Sequence, residues 1–339
     1  DFEFQAWGGD RLSAEGVELK KHIRDLAFMG FVEVLQNLPT ILRNFKLCKQ
    51  QITDFQTDVL LLVDYPGFNL RMAKWAKSKG MKVIYYISPT VWAWKENRIH
   101  QIKRDVDRMY TILPFEPSFY RKFDMEVQYF GHPLLDEIER FHQQEKTTLA
   151  LPTSKPVLAL LPGSRKQELK KKLPLMLTAA KAFQETHQIV IAGAPNLPAS
   201  FYQEFQLDEN VTLIQNQTYP LLSQADLALV TSGTATLETA LFRVPQVVCY
   251  KSSALSYRIA KALVKIKFIS LVNLIMDREV VKELIQNDFT KKNLSAELKK
   301  ILDENQRVKL FEAYYELEQK LGGKGASENT AKSIVAHLK

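Results

Sequence analysis

Short apolar runs recur along this chain in two separate series, each run followed by a stretch with helical spacing. The first series falls at residues 58–63, 82–87, 109–112 and 127–130, with helical stretches such as 68–79 and 96–104 between them. A polar stretch at 142–155, ending Leu-Pro-Thr-Ser-Lys-Pro, reads as a linker. The second series then begins at 157–161 and continues at 188–192, 211–214, 226–230 and 246–250. Continuous apolar strands separated by helices must bury both faces of a sheet, which is the pattern of parallel α/β architecture. The expected fold is therefore α/β, with two Rossmann-like domains whose parallel sheets face a cleft. Residues 1–145 form the N-terminal domain and 155–325 the C-terminal one. A closing helix at 326–339 packs back on the first domain, after a polar helix at 293–321. A chain of 339 residues suits two such domains.

Composition narrows the setting. Cys48 and Cys249 lie far apart, each beside apolar residues, and read as buried free thiols of a reducing compartment. No Cys/His cluster has metal-ligand spacing, so no structural zinc is expected. The net charge of +8 favours an anionic partner without choosing among nucleic acid, membrane and phosphorylated substrate. No apolar run is long enough to span a bilayer, and Asp1-Phe2-Glu3 does not open a signal peptide. The expectation is a cytoplasmic protein that can still meet a membrane from outside.

Two turns at strand ends carry the chemistry. The run 157–161 leads straight into Pro162-Gly163-Ser164-Arg165 and then a helical pattern. A strand, a tight turn and a helix start present backbone N–H groups to an anion, and Arg165 adds a planar charged fork suited to a diphosphate. Ser164 as a simple helix cap is the competing reading. The second turn, after 226–230, reads Thr231-Ser232-Gly233-Thr234-Ala235-Thr236-Leu237-Glu238. Gly233 allows close backbone approach, Ser232 and Thr234 can cap the helix or donate to phosphate, and Glu238 can accept from ribose hydroxyls. Glu238 can equally be a solvated glutamate favoured by the helix dipole. Two anion-ready turns in one domain point to a nucleotide diphosphate more strongly than either does alone.

The first half also places polar groups where strands end. Asp64 leads into Tyr65-Pro66-Gly67-Phe68-Asn69, and Ser88-Pro89-Thr90-Val91-Trp92-Ala93-Trp94 follows the next strand. Asp64 is a candidate general base or substrate anchor, with an Asx-turn as the alternative. Trp92 and Trp94 suit a core or domain interface better than a sugar platform. His132, in Phe130-Gly131-His132-Pro133, is a second candidate base, and a structural histidine fits equally well. Upstream, Met29, Phe31, Val32, Leu35, Leu38 and Leu42 belong to an apolar stretch too dense for one buried helical stripe. Lys20, Lys21, Arg24, Arg43, Lys46 and Lys49 flank it, which suits an anionic membrane surface. A buried helix pair or a dimer interface is the alternative.

Taken together, these motifs resemble the lipid-A-disaccharide synthases, inverting glycosyltransferases of the two-domain GT-B fold found in Gram-negative bacteria. The matching stretches are 26–35, 63–69, 86–95, 112–116, 130–133, 161–165, 231–238 and 270–273, in order over nearly the whole chain. The Ser88-Pro-Thr-Val-Trp-Ala-Trp94 block is the most specific of them. The resemblance implies UDP-2,3-diacylglucosamine as donor and 2,3-diacylglucosamine 1-phosphate as acceptor, joined β-1,6 with release of UDP. It implies Gly163, Ser164, Arg165, Ser232, Gly233, Thr234, Thr236, Glu238 and Asn273 at the UDP-donor site. Asp64 would be the base with His132 in reserve, or either would bind the acceptor with the base on the family's first strand–loop–helix unit, and no cofactor or divalent metal is expected. It implies peripheral attachment to the inner face of the cytoplasmic membrane through the apolar stretch, and it suggests a homodimer that exchanges C-terminal helices. Two departures stand out. The family's first strand–loop–helix unit, with a Gly-Glu-Ala-Ser-Gly-Asp type of loop, is absent from the 339 residues, and Gly67 stands where some relatives carry aspartate. A different UDP-sugar enzyme of this fold acting on a lipid-linked acceptor is the alternative function. A nucleic-acid-binding protein fits the charge but finds no recognition motif here.

Overall fold

The computed structural model describes residues 2–26, 37–144 and 148–338. The chain divides into two compact units, Asp1–Pro89 with Arg98–Met109, and Thr90–Asn97 with Tyr110–Lys339.

In the first unit, β1 (Gln5–Gly8) and β2 (Glu18–His22) pair in parallel around a short helix, Asp10–Ala14. Helix Leu38–Asp54 follows. Next come β3 (Val59–Val63), helix Pro66–Ser78 and β4 (Lys82–Tyr86), with the two strands parallel from Val59↔Lys82 to Val63↔Tyr86. Proline at the first helical position starts the helix where its missing N–H loses nothing. Leu70, Met72, Ala73 and Ala76 then bury the inward stripe of that helix. Phe68 anchors its first turn, stacked on Phe45 at 4.2 Å and on Trp7 at 5.8 Å.

The second unit is built on a six-stranded, all-parallel sheet in the order β12-β11-β10-β7-β8-β9. The strands are β7 (Val157–Leu161), β8 (Gln188–Gly193), β9 (Val211–Gln215), β10 (Ala225–Thr231), β11 (Gln246–Tyr250) and β12 (Lys282–Ile285). Every residue of β7 is buried, as a central strand covered on both faces requires. The chain lays down β7, β8 and β9 outward in one direction, then returns to place β10, β11 and β12 on the other side of β7. The strand order therefore reverses between β7 and β10, and open α/β sheets form their ligand crevice at such a switch point, beyond the strand carboxyl ends.

The same unit holds Tyr110 and Thr111, the last two residues of β5 (Arg108–Thr111), and β6 (Gln128–Tyr129), which pair at Tyr110↔Gln128 and Thr111↔Tyr129. It also holds the closing helix Ala326–Leu338, and the Asp136 carboxylate accepts from Gly325 N at 2.6 Å and Ser327 N at 2.8 Å at the start of that helix. The expected single helix at 293–321 is two helices, Lys291–Ile301 and Glu304–Lys320. Asp303 causes the break, because its carboxylate accepts from Gln306 N and so starts a new helix. β12 escaped sequence reading because Lys282-Glu283-Leu284-Ile285 is a short edge strand without an apolar run.

Candidate active site

β7 and β10 are hydrogen-bonded neighbours, in register from Leu227↔Leu158 to Val230↔Leu161. The turns that leave their carboxyl ends are therefore side by side at the switch point. After β7, Gly163 sits at φ +99°, where a side chain is strained. A Cβ there would also stand 3.1 Å from Thr231 Cγ2, so glycine lets one turn close onto the other. Helix Lys166–Ala180 starts immediately afterwards with Arg165 at its N-cap and no side-chain cap. Ser164 is thus not the helix cap. It is exposed, and its carbonyl accepts from Asn196 Nδ2 at 3.2 Å. The Arg165 side chain is largely exposed and pairs with Glu168 at 2.9 Å.

After β10, Gly233 at φ +147° is the N-cap of helix Thr234–Leu241, again without a side-chain cap. Open space surrounds the position where a Cβ on Gly233 would lie. Gly233 and Thr234 are exposed. The Ser232 hydroxyl donates to Ile269 O at 2.7 Å. Two uncapped helix starts on adjacent strands leave backbone N–H dipoles available to an anion. Glu238, one turn into the second helix, accepts from the Tyr219 hydroxyl at 3.1 Å. Burial raises its carboxyl above the usual range, and the Tyr219 bond opposes that only in part.

Three expectations need correction. Thr236 is fully buried and its hydroxyl donates to Gly233 O at 2.8 Å, so it braces the turn from inside and does not face a ligand. Asn273 is also fully buried. Its Nδ2 donates to Val281 O and Glu283, and its Oδ1 accepts from Val280 N and Val281 N, which leaves the amide nothing for a nucleotide. The Glu283 carboxylate accepts as well from Ile269 N, Ser270 N and the Ser270 hydroxyl, and so fixes the segment that holds Ser232.

His132 is the third. It is buried at the N-cap of helix Pro133–Gln143, with Nδ1 accepting from Leu134 N at 3.1 Å. Burial lowers its pKa to about 4, so the ring is neutral and its proton sits on Nε2. That tautomer has no lone pair left to take a substrate proton. Gly131 explains the surrounding motif: it sits at φ +109°, and a Cβ there would press on Leu321 O at 3.2 Å and Gly323 O at 3.3 Å. His132 N and the Tyr129 hydroxyl both donate to Leu321 O, so Phe130-Gly-His-Pro133 is a docking point for the chain's last segment.

Within the first unit, Asp64 directly follows β3 at φ +46° and Tyr65 comes next at φ +44°. Left-handed residues without glycine cost on the order of 1–3 kcal/mol each, and persist only where the surroundings over-determine them. Here the Tyr85 hydroxyl donates to Asp64 O at 2.5 Å, Asn69 Nδ2 donates to the same oxygen at 2.8 Å, and Asp64 N donates to Tyr86 O. Directly after the neighbouring strand β4, Ile87 sits at φ +63°, strained for a β-branched residue. Asp64 is exposed as a residue, yet partial desolvation raises its carboxyl above the usual range against a bond from Tyr65 N–H.

Trp92 meets Phe115 edge-on at 4.9 Å and packs against the core of the second unit, whereas Trp94 is exposed. Of the proposed membrane residues, Met29, Phe31, Val32 and Leu35 lie outside the described residues. Leu38 and Leu42 are 44% and 58% exposed on helix Leu38–Asp54. No helix among the described residues is long and apolar enough to cross a membrane. Sequence reading missed Lys172, Thr231 and Glu283. Only the Glu168/Lys172 spacing of four residues gave a signal, and it reads as a surface ion pair.

Parallel α/β units with two anion-ready turns at a switch point define the class, a GT-B fold. A UDP-N-acetylglucosamine 2-epimerase from Neisseria meningitidis bound to UDP-N-acetylglucosamine has this fold at a TM-score of 0.65 and 14% identity, covering 96% of this chain and 87% of that one. A calicheamicin glycosyltransferase has it at 0.58 and 14%, covering 97% and 89%. The family model described as Lipid-A-disaccharide synthetase matches residues 1–337. Lipid-A-disaccharide synthase of Myxococcus xanthus (strain DK1622) is 36% identical, covering 100% of this chain and 90% of the relative. That of Syntrophus aciditrophicus (strain SB) is 39% identical, covering 99% and 90%. This chain belongs to the lipid-A-disaccharide synthase family, glycosyltransferases of lipid A disaccharide synthesis.

Proposed function

We propose that the chain transfers 2,3-diacylglucosamine from its UDP derivative to the 6-hydroxyl of 2,3-diacylglucosamine 1-phosphate. The observation that carries this reading is the pair of uncapped helix starts on neighbouring strands β7 and β10. The acceptor hydroxyl attacks the anomeric carbon from the face opposite UDP, the carbon–oxygen bond to the diphosphate breaks, and the α-linkage becomes β. The leaving diphosphate gains charge as that bond breaks. Preorganised donors around Gly163, Ser164, Arg165, Gly233 and Thr234 stabilise it without a divalent cation. Glu238, already holding the Tyr219 hydroxyl, accepts from the ribose. Asp64 takes the proton of the attacking hydroxyl, a role supported by its strained, over-determined backbone and its raised carboxyl.

Both substrates carry acyl chains, so the enzyme works at the inner face of the cytoplasmic membrane. Exposed Leu38 and Leu42 and the neighbouring basic residues support that placement. A homodimer through the C-terminal helices fits the same reading. The test is an assay of UDP release from the diacyl donor with and without the acceptor. Acceptor-dependent release is expected, and release indifferent to the acceptor overturns the assignment.

A further inference from the structure

The Lys172 side chain is 1% exposed on helix Lys166–Ala180, in the middle of a hydrophobic unit. A buried ammonium is unfavourable unless charge and hydrogen bonds compensate it. Two of its three donors are engaged, one with Glu168 Oε2 at 3.2 Å and one with the Thr231 hydroxyl. Thr231 is the last residue of β10, immediately before Ser232 and Gly233. Nζ also lies 3.5 Å from where a Cβ on Gly163 would stand, a position 3.1 Å from Thr231 Cγ2. The ammonium therefore sits at the junction of the two turns, directly beneath both.

Burial lowers the pKa of Lys172, and the paired Glu168 carboxylate opposes that and favours the ammonium. Glu168 is partly exposed and shared with Arg165. Burial pushes the Glu168 carboxyl up, but Lys172 and Arg165 outweigh that and hold it ionised. Cys249, on β11, is buried in apolar surroundings that keep its thiol protonated. Arg165 adds a second positive charge at the mouth of the same turn. A buried cation with one half-buried, shared counter-charge raises the local potential where two helix dipoles already point.

Resting on the nucleotide-diphosphate reading above, we infer that Lys172 is a positioning residue of the diphosphate site, clamping the β7 and β10 turns together and charging them from below. It does not touch the ligand. It acts through Thr231 and the backbone of Gly163, and through the field it adds at the two turns. Methionine matches lysine in length and apolar stem but carries neither charge nor donor, so Lys172→Met separates packing from electrostatics.

The experiment is titration calorimetry with UDP, with uridine binding followed by ligand-observed NMR, on the intact chain and on K172M. Thermal melts monitor the fold. K172M is expected to bind UDP about tenfold more weakly, about 1.4 kcal/mol, with uridine binding unchanged and a weaker dependence of UDP affinity on salt. UDP affinity of K172M within twofold of the parent overturns the inference, and so does an equal loss of UDP and uridine, which marks a merely structural side chain. Should K172M not fold, Lys172→Gln carries the same comparison. An intact chain that binds neither UDP nor uridine refutes the nucleotide reading itself, a result distinct from either.

Discussion

Replacing Gly163 with alanine isolates the geometry on which the site depends. Two penalties apply. At φ +99° an L-residue is strained by about 1–2 kcal/mol. The new Cβ would also lie 3.1 Å from Thr231 Cγ2, inside ordinary van der Waals contact, and relieving that overpacking adds about 1 kcal/mol. The total of about 2–3 kcal/mol appears as lost stability if the turn keeps its shape, or as weaker UDP binding if the turn relaxes. If it falls wholly on binding, at about 1.4 kcal/mol per tenfold, UDP affinity drops by about 30-fold to 140-fold. Two companions calibrate the value. Gly233→Ala meets open space at φ +147°, so only the strain applies and the loss is smaller. Gly67→Ala lies inside helix Pro66–Ser78 with nothing within 4 Å, and alanine's better helix propensity makes it neutral or stabilising by up to about 1 kcal/mol. Calorimetric UDP binding and denaturant unfolding of all three provide the sums. If G163A loses no more than G67A, stability and affinity together, the two turns do not form the site as described.

Glu238→Gln should stabilise the fold while weakening UDP binding. The folded carboxyl titrates above its unfolded value of 4.5, so the folded state holds the extra proton as pH rises from there, and stability falls across that window. The variant should melt higher at pH 7 than the parent and lose this slope, and a lower melting point refutes the assignment. His132 behaves oppositely: with a folded pKa of about 4 against 6.5, its stability contribution is full above pH 6.5 and is lost as pH falls towards 4, by about 3 kcal/mol. His132→Asn, which can still cap the helix, should flatten that loss and keep turnover within about tenfold; a thousandfold loss with the fold intact would restore His132 as the base. Asp64→Asn tolerates the same left-handed backbone, so it should fold normally and lower kcat by about 100-fold to 10,000-fold. Activity within threefold of the parent removes Asp64 from the base role. Leu38→Glu with Leu42→Glu alters exposed positions only, so melting should not change while co-sedimentation with anionic vesicles falls; unchanged sedimentation counts against membrane attachment through this helix.

The parallel strands were legible because burial on both faces demands an unbroken apolar run, as 157–161 and 246–250 display. The turns at Gly163 and Gly233 were legible because glycine at a strand end followed by a helix has few other uses. Asp303 had the type and spacing of a cap, but the apolar period ran across it, so two helices read as one. Local pattern could not assign what each polar side chain faces. Thr236 and Asn273 sit in the same motifs as Gly233 and Ser270, yet they turn inward and consume their hydrogen bonds on the protein itself. His132 looks the same in sequence whether it is a base or a cap, and only burial with the Leu134 N–H bond makes it a cap. The charge beneath the turns shows the same division most sharply. Residue spacing alone places Lys172 one helical turn after Glu168, which fits any solvated helix face. Only the pairing of β7 with β10 brings Thr231 and Gly163 together over that lysine, 59 residues from its Thr231 partner. Sequence periodicity determines which faces are buried, whereas the meeting of distant strand ends decides which polar groups share one low-dielectric space.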